Sequence, residues 1–432
     1  MNIKTQAIKD FLNRDFRAFS TYDCVINLPS LIDGFKVSQR KVMHTMLSRN
    51  KKMKVEQFAN DTAAITHYKH GASNLEGVIV GLAQDFTGSN NVNFLSPEGQ
   101  FGNILNHSAA SGRYIFVEPN PNFRKWFKKE DDCILQYEYE DGEQIEPRYY
   151  IPIVPTLLFN GSSGIGTGYS CKVLSYNPKD VLDNVKRALT NKPLKKMIPW
   201  YNGYKGKITK DESQTIYTGS FERVNSTTLR ITSLPIGYEL EAYKNELAKL
   251  IDKDKVKDYD DNSTDEKWNI LVYSNRAWIA QDDLELLDQL KLISKDSENI
   301  TVWDENKKIK IFESPEALIE YFVKWRLGIY EVRKQKQIDI LTNDLNWAKE
   351  KIYFIKFYID NAVWFSKNSK KDIEEKLKTE KFVHIDNLLS IKVYNLTYES
   401  IQKLKEEILK LNNDINELKK TESLEIYLKE LN

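Results

Sequence analysis

Apolar side chains return every three or four residues along two stretches of the C-terminal third. Ile338, Leu341, Leu345, Ala348, Ile352, Ile355 and Ile359 form one seam, and Ile401, Leu404, Ile408, Leu411, Ile415 and Leu418 form another. A repeat averaging about 3.5 residues is the mark of a coiled-coil seam. About forty residues separate the two, too many for a turn and enough for a small helical knob. The pattern therefore predicts an antiparallel coiled-coil arm within 313–432, with 361–398 at its tip. Its first helix is predicted to start at Pro315 with Ser314 as N-cap, because proline suits the first helical position and serine the one before it.

Upstream, "SNLEGVIVGLAQDF" places Leu75, Val78, Ile79, Leu82, Ala83 and Phe86 at helical spacing, and Ser73 with Glu76 reads as a capping box. Apolar positions in "KVMHTMLSRN" precede it, and strand-like segments around "GQFGNI" and "RYIFVEP" follow. Helices followed by a ribbon suit a winged helix-turn-helix over 1–175, with Tyr114 at the wing. Residues 176–312 mix strand-like runs such as "GKITK" and "TTLRITSLPIGYEL" with a helix near 241–253, which predicts a second, α+β region. The fold class is thus α+β multidomain: winged helix, α+β region, coiled-coil arm.

Charge adds one local feature. The chain of 432 residues carries a formal net charge of +1, which excludes both an acidic disordered protein and a histone-like polycation. Between Gly34 and Val55, however, there is no acidic residue, against Lys36, Arg40, Lys41, Arg49, Lys51, Lys52 and Lys54. Such a run can lie along a phosphate backbone or form a solvated helix face. Three scattered cysteines argue against a disulfide framework. No signal core heads the chain, and no apolar run reaches the roughly 18 residues of a membrane span. A reduced, soluble, intracellular protein is expected.

The glycines of "FNGSSGIGTGYS" demand an unusual backbone, yet no GK[ST] follows and the spacing fails the dinucleotide fingerprint. "DYDDNSTDE" is acidic but lacks the positions of an EF-hand loop and reads as a solvated loop.

Taken in order, "LPSLIDGFKVSQRKV", "HYKHGAS", "GLAQDFTGSNN", "GQFGN", "GRYIF" and "FNGSSGIGTGY" resemble the DNA breakage-reunion region of type IIA DNA topoisomerases. They are more similar to the eukaryotic and T-even phage branch than to gyrase, and the similarity continues through "LRITSLPIG" and "LKLIS" into the arm. The resemblance implies a tower-like domain over 176–312 and a dimerisation knob at the arm's tip. It implies double-stranded DNA as substrate, a homodimer closed at winged-helix and coiled-coil gates, and location with DNA in the cytoplasm, nucleoid or an infected host cell. Mg²⁺ and ATP are expected on a separate Toprim/ATPase partner subunit, and relaxation or decatenation is expected over active supercoiling.

By this resemblance Tyr114 is the nucleophile that breaks DNA and holds a 5′-phosphotyrosyl end. A phenol with an ordinary pKa of about 10 is a better leaving group than a sugar alkoxide, so the 3′-hydroxyl can displace it later. Arg113 matches the neighbouring arginine that stabilises charge on the phosphoryl oxygens. His70 matches a histidine near the scissile phosphate, donating a hydrogen bond or helping to move a proton, with a structural histidine as the alternative. Lys36, Arg40 and Lys41 match backbone contacts, and Asp33 the acid that orients them. Ile165 matches a wedge between base pairs on a glycine-rich loop; Asn160 and Ser163 match further DNA contacts.

Three positions depart from the family pattern. Ile26 stands where an arginine is usual, which leaves one phosphate contact missing or supplied by another side chain such as Arg14 or Arg17. Lys69 replaces a histidine, and Val37 a proline. The rival readings are a tyrosine recombinase or type IB topoisomerase, whose motif order does not match, a non-catalytic winged-helix architectural DNA-binding protein, and an inactive topoisomerase paralogue.

Overall fold

Helical spacing upstream of Tyr114 becomes the Ala72–Ala83 helix, which buries Leu75, Ile79, Leu82 and Ala83. This was established in a computed structural model that describes residues 7–211 and 214–432. The reading of the N-terminus includes residues 1–6, which lie outside the described residues. The helix starts earlier than its sequence signal: Gly71 is the N-cap and makes no side-chain cap, so Ser73 and Glu76 form no capping box. Glu76 is instead drawn beneath the turn that carries Tyr114, beside Gly112.

The chain divides into two compact units, one ending at Arg326 and one over Leu327–Glu430. In the first, helices Val37–Arg49, Val55–Ile65 and Ala72–Ala83 pack on one another. They cover an antiparallel three-stranded sheet in the order Met53–Lys54, Phe116–Pro119, Leu95–Glu98. Val42, Met43, Phe58, Leu75, Ile79, Leu95, Ile115 and Val117 are at most 1% exposed. Burying side chains of this size stabilises the fold by roughly 1.5–3 kcal/mol each, which fixes the wing against the helices. The "GQFGNI" segment is irregular rather than strand-like. Gln84 Nε2 donates to both Phe101 O and His107 O at 2.9 Å, so a side chain replaces the ladder there.

Residues 176–312 also lie in this unit. They hold an antiparallel four-stranded sheet ordered Ser220–Asn225, Thr228–Ser233, Ile270–Tyr273, Asp258–Asp261, with the Leu240–Ile251 helix packed on its apolar face. The acidic stretch read as a loop therefore begins as an edge strand. Its carboxylates take internal donors: Tyr273 OH donates to Asp260 at 2.7 Å, and Lys244 pairs with Asp261 at 3.3 Å.

The arm's helix runs over Pro315–Asp360, and Ser314 Oγ accepts from Ala317 N at 3.2 Å, the predicted cap. In the second unit the seams meet antiparallel. Ile338 and Leu345 pack with Ile415, while Ala348 and Ile355 pack with Ile401 and Leu404. Short helices Ala362–Lys367, Lys370–Thr379 and Ile385–Leu389 form the tip around Phe354, Leu377, Phe382 and Leu388.

Glu350 pins the tip to the long helix by accepting from His384 Nδ1 at 2.6 Å, His384 N at 3.0 Å and Val383 N. Burial works against its charge, but these hydrogen bonds override it and hold the carboxyl below its ordinary value. A depressed carboxyl contributes stability that is present above the unfolded pKa and is lost as pH falls through the folded one. Glu350→Gln is therefore expected to destabilise the tip by about 1–2 kcal/mol at neutral pH. The penalty should shrink as pH drops below about 4. Urea unfolding at both pH values tests this, and an equal penalty at each would remove charge from the explanation.

No described helix is long and apolar enough to cross a membrane.

Candidate active site

Tyr114 ends a turn over residues 112–114 that leads into Phe116–Pro119, the central strand of the wing. Glu56 N donates to Gly112 O at 3.2 Å and Val55 N to Ile115 O at 3.1 Å, so the start of one helix grips both ends of the turn. Gly112 is closely packed: an added Cβ would lie 2.5 Å from Glu76 Oε2, so the glutamate side chain would have to swing aside, and 3.2 Å from Glu56 N. Buried Ile115 and Val117 anchor the strand on the C-terminal side of the turn. On this fixed base Tyr114 is 71% exposed and Arg113 is exposed beside it. Among the described residues neither side chain makes a hydrogen bond or ion pair.

A groove of about 780 Å³ opens on the same unit. Ile26, Asp33, Lys36, Lys41, His70, Asn160 and Ser163 line it; Tyr114 and Arg113 do not. Most of the predicted DNA contacts thus line one groove, and the predicted nucleophile is not part of that lining.

The basic run is not a continuous phosphate-binding stripe. Arg40 and Lys41, expected as DNA contacts, are only 7% and 8% exposed. Arg40 donates to both Asp33 oxygens, at 2.7 and 3.0 Å, and Lys41 donates to Glu146 and Thr66 O. Burial disfavours the Arg40 charge, but the Asp33 carboxylate overrides it and holds the guanidinium pKa above its usual value. Asp33 is therefore the partner of one buried cation rather than an orienter of exposed ones. Arg49 pairs with Asp61, and Lys52 with Glu98. The buried partner of Lys41 could not be read locally, because Glu146 lies 105 positions away.

Lys36 stays at the groove. Its ammonium donates to Ser163 O at 2.7 Å, and burial lowers its pKa from the ordinary lysine value. Asn160 spends both ends of its amide on Val92, accepting from the N–H at 2.9 Å and donating to the carbonyl at 2.7 Å, and so acts as a clamp. Ile165 is 81% exposed, as a wedge requires. It sits on a strand rather than in a loop: Ser162–Gly166 pairs with Tyr169–Val173, and Ile165 faces Ser170.

That hairpin lies tight against the Arg17–Asn27 helix. Thr167 Oγ1 donates to Asp23 at 2.8 Å, and a Cβ on Gly164 would fall 2.0 Å from Asn27 O. Gly164→Ala is accordingly expected to push the hairpin off the helix, at a cost of about 1–3 kcal/mol. Thermal unfolding should fall together with DNA binding; an unchanged melting temperature would mean that the hairpin relaxes freely.

The segment around His70 has its own supports. His67 Nε2 lies 3.0 Å from Glu143, Lys69 pairs with Glu140, and the Tyr22 hydroxyl is 3.1 Å from His70 Nε2. Sequence reasoning missed Tyr22; the signal was its place four residues before Ile26 on one helix face. Arg14 and Arg17, considered as substitutes for the missing arginine, do not line the groove. Among the described residues no group of three or more His, Cys, Asp or Glu side chains converges as a metal site.

Similar proteins give the site its context. The chain is 35% identical over 433 residues to the mitochondrial DNA topoisomerase 2 of Dictyostelium discoideum, an alignment covering 96% of this chain and 34% of that one. It is 37% identical over 379 residues to DNA topoisomerase 2 of Plasmodium falciparum (isolate K1 / Thailand), covering 85% and 27%. It thus spans between about a quarter and a third of the length of these curated relatives. A crystal structure of the Plasmodium falciparum topoisomerase II DNA-binding, cleavage and re-ligation domain superposes with a TM-score of 0.91 at 33% identity, covering 98% of this chain and 63% of that one. The family model for the A subunit of DNA gyrase/topoisomerase IV matches residues 27–432, and this chain belongs to that family.

Proposed function

We propose that this chain is the DNA-cleaving part of a type IIA topoisomerase. The observation that carries the reading is Tyr114: an exposed phenol beside an exposed arginine, both without a polar partner among the described residues, on a turn held by buried neighbours, in a chain of this family. Tyr114 Oη attacks a backbone phosphorus, forming a P–O bond to the 5′ side while the bond to the 3′ oxygen breaks. The phenol loses its proton and the departing 3′-hydroxyl gains one. The reverse reaction reseals the strand, and no net bond energy is spent.

Arg113 stabilises charge on the phosphoryl oxygens as the phosphorus is attacked. Lys36 and His70 meet the DNA in the groove, and Ile165 wedges between base pairs to bend it. Because Tyr114 is not among the residues that line the groove of its own chain, two copies acting on one duplex fit the arrangement, each tyrosine cutting one strand. Exposed Val363, Val393, Tyr394 and Tyr398 on the arm's tip, 67–71% accessible, support a second contact between copies. Mg²⁺ and ATP belong in this reading to a Toprim/ATPase module outside the described residues. Among the described residues no His, Cys, Asp and Glu side chains gather as a metal site, and no step is assigned to a metal ion. Passage of a second duplex through the break completes the reaction.

The test is detergent trapping. The chain, together with that module, is mixed with supercoiled plasmid and Mg²⁺ and quenched with SDS; linear DNA carrying protein on its 5′ ends is expected. DNA binding without any adduct would favour the architectural winged-helix reading.

A further inference from the structure

Ile26 leaves the groove without the arginine usual at that position, and the structure offers another side chain beside it. Tyr22 lies one helical turn before Ile26 on the Arg17–Asn27 helix, so the two share a face, and both line the groove. The Tyr22 hydroxyl is 3.1 Å from His70 Nε2. Tyr68 sets its ring edge-on to the imidazole, with centroids 5.3 Å apart and planes at 67°. The same short segment is tied down on its other flank by Lys69–Glu140 and His67–Glu143, with His67 in the left-handed region at φ 49°. His70 Nδ1, by contrast, has no hydrogen-bond partner among the described residues.

We propose that Tyr22 is a positioning residue for His70: it holds the imidazole by Nε2, leaves Nδ1 facing the DNA phosphate, and so takes over the place of the arginine absent at Ile26. The assignment rests on the DNA-cleavage reading above. The hydrogen bond made by one ring nitrogen sets the proton on the other. With the Tyr22 O–H donating to Nε2, the ring proton sits on Nδ1, which becomes an N–H donor of fixed direction. A phosphate oxygen can only accept, so this orientation is productive and the opposite tautomer is not. An isoleucine offers no donor at all, whereas an arginine would supply its own without help from a neighbour.

The experiment measures single-turnover cleavage of an end-labelled duplex by the full chain with its Toprim/ATPase module, alongside DNA binding by anisotropy. The variants are Tyr22→Phe, His70→Ala, the two combined, and Tyr22→Phe with Ile26→Arg. Tyr22 is half exposed and phenylalanine keeps its ring, so the fold is retained. Tyr22→Phe should slow cleavage about 10-fold or more, as losing an orienting partner typically does, with DNA affinity changed less than about 2-fold. The double variant should be no slower than His70→Ala alone, because both act through one imidazole. Ile26→Arg should restore Tyr22→Phe to within about 3-fold of the parent rate. Cleavage indifferent to Tyr22, multiplicative losses in the double variant, or failure of Ile26→Arg to rescue would each overturn the assignment. Absence of any Tyr114-dependent adduct from the parent chain would instead remove the cleavage reading, and this assignment with it.

Discussion

Tyr114→Phe should abolish the covalent DNA adduct, a loss of at least about 10³-fold in trapped product, while folding and DNA binding stay as they were. The substitution removes one oxygen, and that oxygen is the nucleophile. Nothing else depends on it: the side chain is 71% exposed and makes no hydrogen bond among the described residues. Stability should therefore move by no more than about 0.5 kcal/mol. The turn itself is held by backbone bonds to Val55 and Glu56 that phenylalanine leaves intact. The measurement is an SDS-trapped plasmid assay with parallel anisotropy on a short duplex. Undiminished adduct from the phenylalanine variant would transfer the nucleophile to another exposed hydroxyl, such as Tyr169 on the hairpin. Arg113→Ala, read in the same assay, should slow adduct formation rather than eliminate it, because it touches the phosphoryl oxygens and not the bond being made.

Asp33→Ala should cost about 3–5 kcal/mol of unfolding free energy, the range for breaking a buried ion pair on one side. The Asp33 carboxylate accepts four hydrogen bonds: two from Arg40, at 2.7 and 3.0 Å, and one each from Phe35 N and Tyr150 N, at 3.0 Å. Removing it strands a guanidinium that is 7% exposed and two backbone donors with it. Asp33→Asn keeps the shape and some acceptor capacity, so it should fall between the parent and alanine. Urea unfolding followed by circular dichroism separates the three. A loss below about 1 kcal/mol for alanine would mean that water reaches Arg40 readily, which would return it to the pool of cations able to meet DNA. Because Asp33 and Phe35 lie within three residues of Lys36, the alanine variant should also weaken DNA binding, and Asp33→Asn should weaken it less.

Some of this architecture was legible in the chain because it depends on local period. The two seams are spaced for a coiled coil, and they pack as one, Ile338 and Leu345 against Ile415, Ala348 and Ile355 against Ile401. Ser314 and Pro315 mark a helix start by chemistry that acts within three residues. The capping box at Ser73 and Glu76 was misleading for the same reason it looked convincing. Its spacing was right, but tertiary packing put the Glu76 carboxylate against Gly112, beneath the Tyr114 turn. The acidic run at 258–261 looked like a solvated loop because polarity outweighed its strand character, which pairing with Ile270–Tyr273 brought out.

By itself the sequence determined the order of motifs, the arm with its tip, the place of Tyr114 next to Arg113, and the resemblance through which those residues acquire roles. Only the tertiary structure decided which charges remain available. Lys36, Arg40 and Lys41 stand within six positions of one another and look alike in a basic run. Folding buries Arg40 on Asp33 and Lys41 on Glu146, although Lys41 also borders the groove, and leaves Lys36 less buried beside the hairpin that carries Ile165. It likewise set Tyr22 against His70, 48 positions away. The physical reason is common to these cases. Helical period and capping act over a few neighbouring residues, whereas burial and ion pairing depend on partners that only the folded chain brings within reach.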